Sequence, residues 1–264
     1  MKSTIMHELK PDMKRDNLLF LARLSQQTER FPEMLEYMKR IIQQPQIELT
    51  KDERNLLSTS YKSIVGSKRA EIRVLDAIFE KEKRQDQQST NLQYIIKYKQ
   101  KVEREIFQNC EDLIAIIDQI LLPNVKCLES KVFYLKIRGD HFRYYAECLK
   151  SRALQQQDNN NSEVEEEALN SYREANEIAR MNLASTDPIR LALILNMSVY
   201  FFEVLDKIHD AIRIANNAFE EAIQNIDNVN EENYKDSTLI MQLLRDNIQL
   251  WTDLLQQQQN QEDQ

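Results

Sequence analysis

Glycine is nearly missing from this chain: Gly66 and Gly139 are the only two in 264 residues, beside five prolines. So few breakers leave no room for a family of hairpins or for a glycine-rich phosphate loop, and they favour an all-helical protein. Cysteine is scarce as well. Cys110, Cys127 and Cys148 are odd in number, far apart, and lack CxxC or Cys/His ligand spacing, so they read as buried thiols of a reducing compartment rather than a disulfide framework. The three histidines, His7, His141 and His209, share no metal-ligand spacing, and Asp206-Lys207-Ile208-His209 lacks the glutamates of a di-iron bundle. No serine or cysteine stands beside a candidate base, which leaves an enzyme without residues to carry it. Positive charge is in deficit: 35 Lys and Arg against 43 Asp and Glu give a net charge of -8, where nucleic-acid binding needs an extended basic footprint. Met1 to His7 has no apolar segment of the kind a signal peptide carries, and no apolar run approaches a membrane span. These absences point to a soluble, cytoplasmic (or nuclear), helical protein with no cofactor, metal, nucleic-acid or membrane partner.

What is present is a helical pattern. With 42% hydrophobic and 30% charged residues the chain has material for one large core or two modest ones. Leu18, Leu21 and Leu24 make a stripe on a helix over about 14–29, and Pro32 suits the first turn of a second helix ending near Pro45. Thr50-Lys51-Asp52-Glu53 is a capping box that opens a long third helix. A fourth is expected over 91–121, stopped before Pro123, and a fifth over 127–152. Gln155 to Glu167, polar and anionic, reads as a mobile loop. Helices over 166–182, 187–205 (capped by Ser185-Thr186-Asp187-Pro188), 208–226 and 231–256 complete nine antiparallel neighbours joined by short links. The expected organisation is a flexible extension over 1–13, one helical domain over 14–256, and a disordered glutamine-rich tail over 257–264.

Against the acidic background, Lys62, Arg69 and Arg73 recur at offsets of seven and four on the third helix, which returns them to nearly one side. Lys136 and Arg143 repeat the device on the fifth. Local cations inside an anionic protein point to a discrete, highly charged ligand group rather than to a polymer.

Several stretches, in order from about 17 to 255, resemble the 14-3-3 family. They are Glu53-Arg54-Asn55-Leu56-Leu57-Ser58, Tyr61 to Val74, Glu129 to Lys136, Pro188 to Val199, and Tyr234 to Trp251. The resemblance implies nine antiparallel helices that form a concave amphipathic groove, cup-shaped when two subunits pair. It implies a non-catalytic adapter that binds phosphoserine or phosphothreonine segments of other proteins. The family's phosphate-binding residues fall on Lys62, Arg69, Arg143 and Tyr144. Peptide-groove positions fall on Arg73, Lys136, Asp140, Asn196, Glu203 and Asn247, with the apolar wall on Leu195, Val199, Leu239, Ile240, Leu243 and Trp251. The chemistry agrees. Two arginine forks, a lysine and a tyrosine hydroxyl come near to saturating a phosphoryl group's three oxygens, and an asparagine amide pairs both the N–H and the C=O of an extended peptide. A phosphate-independent helical docking scaffold is the alternative reading.

The chain also departs from that pattern. Ile72 replaces a usual tryptophan, Ala192 a glycine and Lys68 an arginine. At the expected dimer interface Leu24 and Tyr98 match apolar contacts, and Arg30 with Glu105 and Glu33 with Lys101 match charge pairs. Thr28, however, replaces a small apolar residue, Asn17 an acidic one, and Glu71 a serine or alanine. A homodimer is expected, with weaker association than is typical, because Glu71 loosens it if it finds no cation.

Overall fold

The structure is a computed structural model that describes residues 13–44, 48–156 and 162–262, side chains at 151–156, 162 and 261–262 excepted. The expected extension over 1–13, apart from residue 13, lies outside the described residues, as do His7 and Pro45. Nine helices and no strands occur among the described residues: α1 Arg15–Gln27, α2 Phe31–Ile42, α3 Lys51–Gln85, α4 Asn91–Ile116, α5 Leu128–Gln156, α6 Ser162–Asn182, α7 Pro188–Glu203, α8 Ile208–Ile223 and α9 Glu231–Glu262. The all-α expectation therefore holds. The chain divides into two compact units, one ending at Asn124 and the other beginning at Val125.

In the first unit, α1 and α2 pack together, both lie on α3, and α3 packs on α4. Its core is built from Leu18, Met34, Met38, Ile41, Leu57, Tyr61, Ile106 and Leu113. Each such side chain contributes roughly 1.5–3 kcal/mol of burial free energy. The capping box forms as the sequence predicts. Thr50 Oγ1 accepts from the Glu53 amide at 3.3 Å, and the Glu53 carboxylate accepts from the Thr50 amide at 2.9 Å. Arg15 clamps the same carboxylate with two bonds of 2.7 and 2.8 Å, tying the start of α1 to the start of α3.

In the second unit, α5 packs on α6 and α7, α6 also contacts α7, and α9 closes over α7 and α8. Gly139 is required by a close approach. A Cβ there would lie 2.8 Å from Cε1 of Tyr172, so only glycine lets α5 and α6 meet at this depth. Buried alanines on α6 (Ala168, Ala175, Ala179) and α8 (Ala211, Ala215, Ala222) serve the same end. Asp187 caps α7 by accepting from the amides of Ile189 and Arg190, ahead of Pro188 in the first turn. No helix among the described residues is long and apolar enough to cross a membrane.

Several sequence expectations need correction. Leu24 is 46% exposed, and the buried face of α1 is Leu18, Ala22 and Ser25. Pro123 does not stop α4. The helix widens into a π turn over Ile117–Leu121 and runs on through Leu122–Asn124, because a π turn absorbs the missing N–H and the clash of the proline ring with the carbonyl four residues back. The stretch expected to be a mobile loop is helical through Gln156 and again from Ser162, where Glu163 and Glu165 suit the positive end of the α6 dipole. The glutamine-rich tail continues α9 to Glu262, since glutamine is a good helix former once a helix is under way. Finally, Cys110 and Cys148 are buried thiols, but Cys127 is exposed.

Candidate functional site

Asp140 is the hub of the candidate site in the second unit. The carboxylate is 6% exposed and collects three donors: the Tyr172 hydroxyl at 2.7 Å, Asn196 Nδ2 at 2.7 Å and Lys136 Nζ at 3.0 Å. These come from α6, α7 and α5, so one buried carboxylate ties three helices together. Burial alone would raise the pKa of Asp140. Lys136, Arg143 and the Tyr172 bond outweigh it and hold the carboxyl below its usual range. The tripeptide Arg138-Gly139-Asp140 is accordingly structural. Arg138 donates to Ser171 Oγ at 2.6 Å and to Glu167 at 2.9 Å, while Gly139 and Asp140 face inward.

Arg143 lies one turn further along α5 and is also buried, at 6% exposure. Its guanidinium donates to Glu147 at 2.8 Å, approaches Glu203 at 3.5 Å and reaches the Tyr172 hydroxyl at 3.4 Å. It also stacks over the Tyr144 ring, 4.6 Å from the centroid. Burial works against the cation, yet Tyr172, Tyr144, Glu147 and Asp140 leave it held well above its ordinary value. Arg143 is thus a fixed, permanently charged fork. Tyr144 is itself buried and meets His141 edge-on at 5.4 Å. His141 donates through Nδ1 to the Ile137 carbonyl at 2.8 Å, and burial pushes it down to about 4, so it stays neutral.

The apolar positions of this unit separate by depth. Leu195, Val199 and Ile240 are half-buried and pack against a core of Leu191, Ile194, Met241 and Leu244. Leu239 and Leu243 stand 60% and 43% exposed, one turn apart on α9, with half-buried Asn247 one turn beyond. Trp251 differs from its expected role. It is 2% exposed and stacked on Phe202 with ring centroids 5.2 Å apart, a core side chain rather than wall surface. Leu250, 54% exposed, extends the surface stripe and carries no sequence signal beyond the seven-residue step from Leu243.

In the first unit, Lys62, Arg69 and Arg73 all lie on α3. Lys62 and Arg73 are exposed and Arg69 is half-buried. Lys68 points to a different set of partners, Glu105 at 2.8 Å and Glu71 at 3.2 Å. Those carboxylates, the larger influence being Glu105, raise the lysine above its ordinary value. The condition attached to Glu71 is therefore met within the chain, because it has a cation. Arg30 pairs with Glu33 one turn away, and Lys101 sits 5.8 Å over the ring of Tyr98. The Thr28 hydroxyl donates to the carbonyl of Leu24 at 2.9 Å, so it is satisfied inside its own helix. Phe20 and Leu24 on α1, Val74 and Ile78 on α3, and Tyr94 and Tyr98 on α4 are three exposed apolar pairs at one-turn spacing.

Two residues of this arrangement were not read from the sequence. Tyr172 has no local signal, since its two partners lie 32 and 29 residues away. Glu147 was legible as the residue one turn after Arg143 on the same helix.

Comparison with known proteins places the chain in a family. The 14-3-3 protein family model matches residues 21–252. The chain is 45% identical over 239 residues to 14-3-3 protein 9 of Solanum lycopersicum, covering 90% of this chain and 88% of that protein. It is 44% identical to 14-3-3 protein 2 of Entamoeba histolytica, covering 90% and 96%. It is 43% identical to the checkpoint signal transducer rad24 of Schizosaccharomyces pombe, covering 90% and 85%. The chain belongs to the 14-3-3 family of adapter proteins, which bind partner proteins rather than transform substrates.

Proposed function

We propose that this adapter recognises its partners through phosphoserine or phosphothreonine, with Lys62, Arg69, Arg143 and Tyr144 as the residues that take the phosphate. The observation that supports it best is the state of Arg143: buried, permanently charged and locked in orientation by Glu147, Tyr172 and the face of Tyr144. A fork fixed before the ligand arrives loses little side-chain entropy on binding, and a phosphoryl group matches its geometry. Asp140 supports the next step, because it holds the Asn196 amide in one orientation for the backbone of an extended peptide. Leu195, Val199, Leu239, Ile240 and Leu243 supply apolar surface for the neighbouring side chains, with Arg73, Lys136, Glu203 and Asn247 as polar neighbours. Trp251 supports that wall from below.

We further propose a homodimer in which Leu24, Tyr98 and the charged set Arg30, Glu33, Glu71, Lys101 and Glu105 meet a second subunit, with Thr28 at its rim. The three exposed apolar pairs of the first unit support it, because contiguous exposed apolar surface is usually covered by something. The same reading carries a cytoplasmic location, which fluorescence tagging checks.

Fluorescence polarisation with an Arg-x-x-pSer-x-Pro peptide and its unphosphorylated twin tests phosphate recognition. The phosphorylated form binds tighter. Lys62→Glu exchanges a charge-assisted bond of about 1.5–3 kcal/mol for a repulsion of similar size, which weakens binding roughly a hundredfold or more. Equal affinity for the two peptides would refute phosphate recognition and leave a phosphate-independent docking scaffold.

A further inference from the structure

A cleft of about 200 Å³ opens between α6, α7 and α8 in the second unit, away from Asp140 and Arg143. Three arginines line it, one from each helix: Arg180, Arg190 and Arg213. Their charges are unequally compensated. Arg190 is spent on Glu221 at 2.6 Å and on the Leu183 carbonyl at 3.1 Å. Arg213 shares Asp210 at 2.8 Å in an exposed pair, which competes weakly with another anion. Arg180 has no carboxylate partner among the described residues. In an acidic chain this is a local surplus of positive charge in a concavity.

The lining adds two further properties. The Asn176 carboxamide has its oxygen buried without a hydrogen-bond partner, so it retains an unused acceptor. The apolar floor comes from Leu191, Ile214 and Ala218, the last contributing only a methyl where a longer side chain would fill the space. An apolar cavity of about 150 Å³ accepts benzene, so this volume takes one ring and a charged substituent, but no extended peptide.

We propose that this cleft is a second ligand site, separate from the phosphopeptide residues, that binds a small organic acid: one ring or branched apolar body carrying a phosphate or carboxylate. The anion sits between Arg180 and Arg213, the apolar body lies on Leu191 and Ile214, and Asn176 takes a polar edge. The phosphate and carboxylate forms share one recognition chemistry, and their sources are told apart by the probe.

The test is a titration of the full-length chain with phenyl phosphate and benzoate, and with inorganic phosphate as the ring-free control. Binding is followed by calorimetry and by the nitrogen-15 side-chain amide signals of Asn176 and Asn217. Phenyl phosphate is expected to shift the Asn176 signal in the wild type and in Lys62→Glu alike. The double variant Arg180→Gln/Arg213→Gln should weaken that binding by about tenfold or more while leaving phosphopeptide affinity unchanged. Inorganic phosphate should bind more weakly than phenyl phosphate, because the floor then contributes nothing. A single binding event abolished by Lys62→Glu, or an Asn176 signal indifferent to all three probes, overturns the proposal. A wild type that prefers neither the phosphorylated nor the unphosphorylated peptide, with the Asn176 response intact, would count against the phosphate reading alone.

Discussion

Replacing Asp140 with alanine strips one buried and two half-buried groups of their acceptor at one stroke: the Tyr172 hydroxyl, the Asn196 amide and the Lys136 ammonium, at 2.7, 2.7 and 3.0 Å. It also removes one of the negative charges that hold Arg143 above its ordinary value. Deleting one member of a buried, hydrogen-bonded charge cluster costs about 3–5 kcal/mol, because the remaining charges stay desolvated and unpaired. For a chain of this length about 1 kcal/mol moves the melting temperature by roughly 2–4 °C, so the expected fall is about 6–20 °C at neutral pH. The pH dependence gives a second handle. The pKa of Asp140 is held below its ordinary value in the folded state. Its stabilisation is therefore fully present above the unfolded value, near 3.9, and is lost as pH falls through the lower folded value. The gap between wild type and Asp140→Ala should be wide at pH 7 and close as the solution is taken well below pH 4. Thermal unfolding followed by circular dichroism across that range measures both. A variant that melts within about 2 °C of wild type at pH 7 would show that the cluster contributes no net stability, and the reasoning fails.

Three further outcomes follow from the same geometry. His141 is buried neutral with its pKa lowered to about 4, against about 6.5 unfolded, so stability falls as pH drops between those values by roughly 3 kcal/mol; His141→Gln should flatten that part of the stability profile, and an unchanged slope counts against the burial of the ring. Gly139→Ala drives a methyl into the ring of Tyr172 and should cost about 1–3 kcal/mol, read as a lower urea midpoint; a neutral result would mean that α5 and α6 can part without strain. Glu71 is neutralised by Lys68, so sedimentation at micromolar concentration should show a dimer, and Lys68→Gln should loosen it by leaving Glu71 and Glu105 unpaired; a wild-type monomer at that concentration ends the dimer proposal.

The distribution of breakers and caps by itself determined the helices. Thr50 and Glu53, Asp187 and Pro188, and the scarcity of glycine act through bonds only a few residues long, which a sequence displays directly. The same locality made the cation stripe on α3 and the neighbourhood of Arg143 legible. The tail shows where composition gives way to context: a glutamine run is disordered alone, but helical when it continues an established helix. Depth was the property that only the tertiary structure decided. Leu24 and Trp251 have the same apolar character in a sequence, yet one faces outward at 46% exposure and the other is 2% exposed against Phe202. Likewise Asp140, Tyr172 and Asn196 are ordinary polar residues until helices far apart in the chain bring them within 2.7 Å of one another's donors and acceptors. Burial and charge pairing depend on which surfaces meet, a long-range outcome of packing that no local window of residues contains.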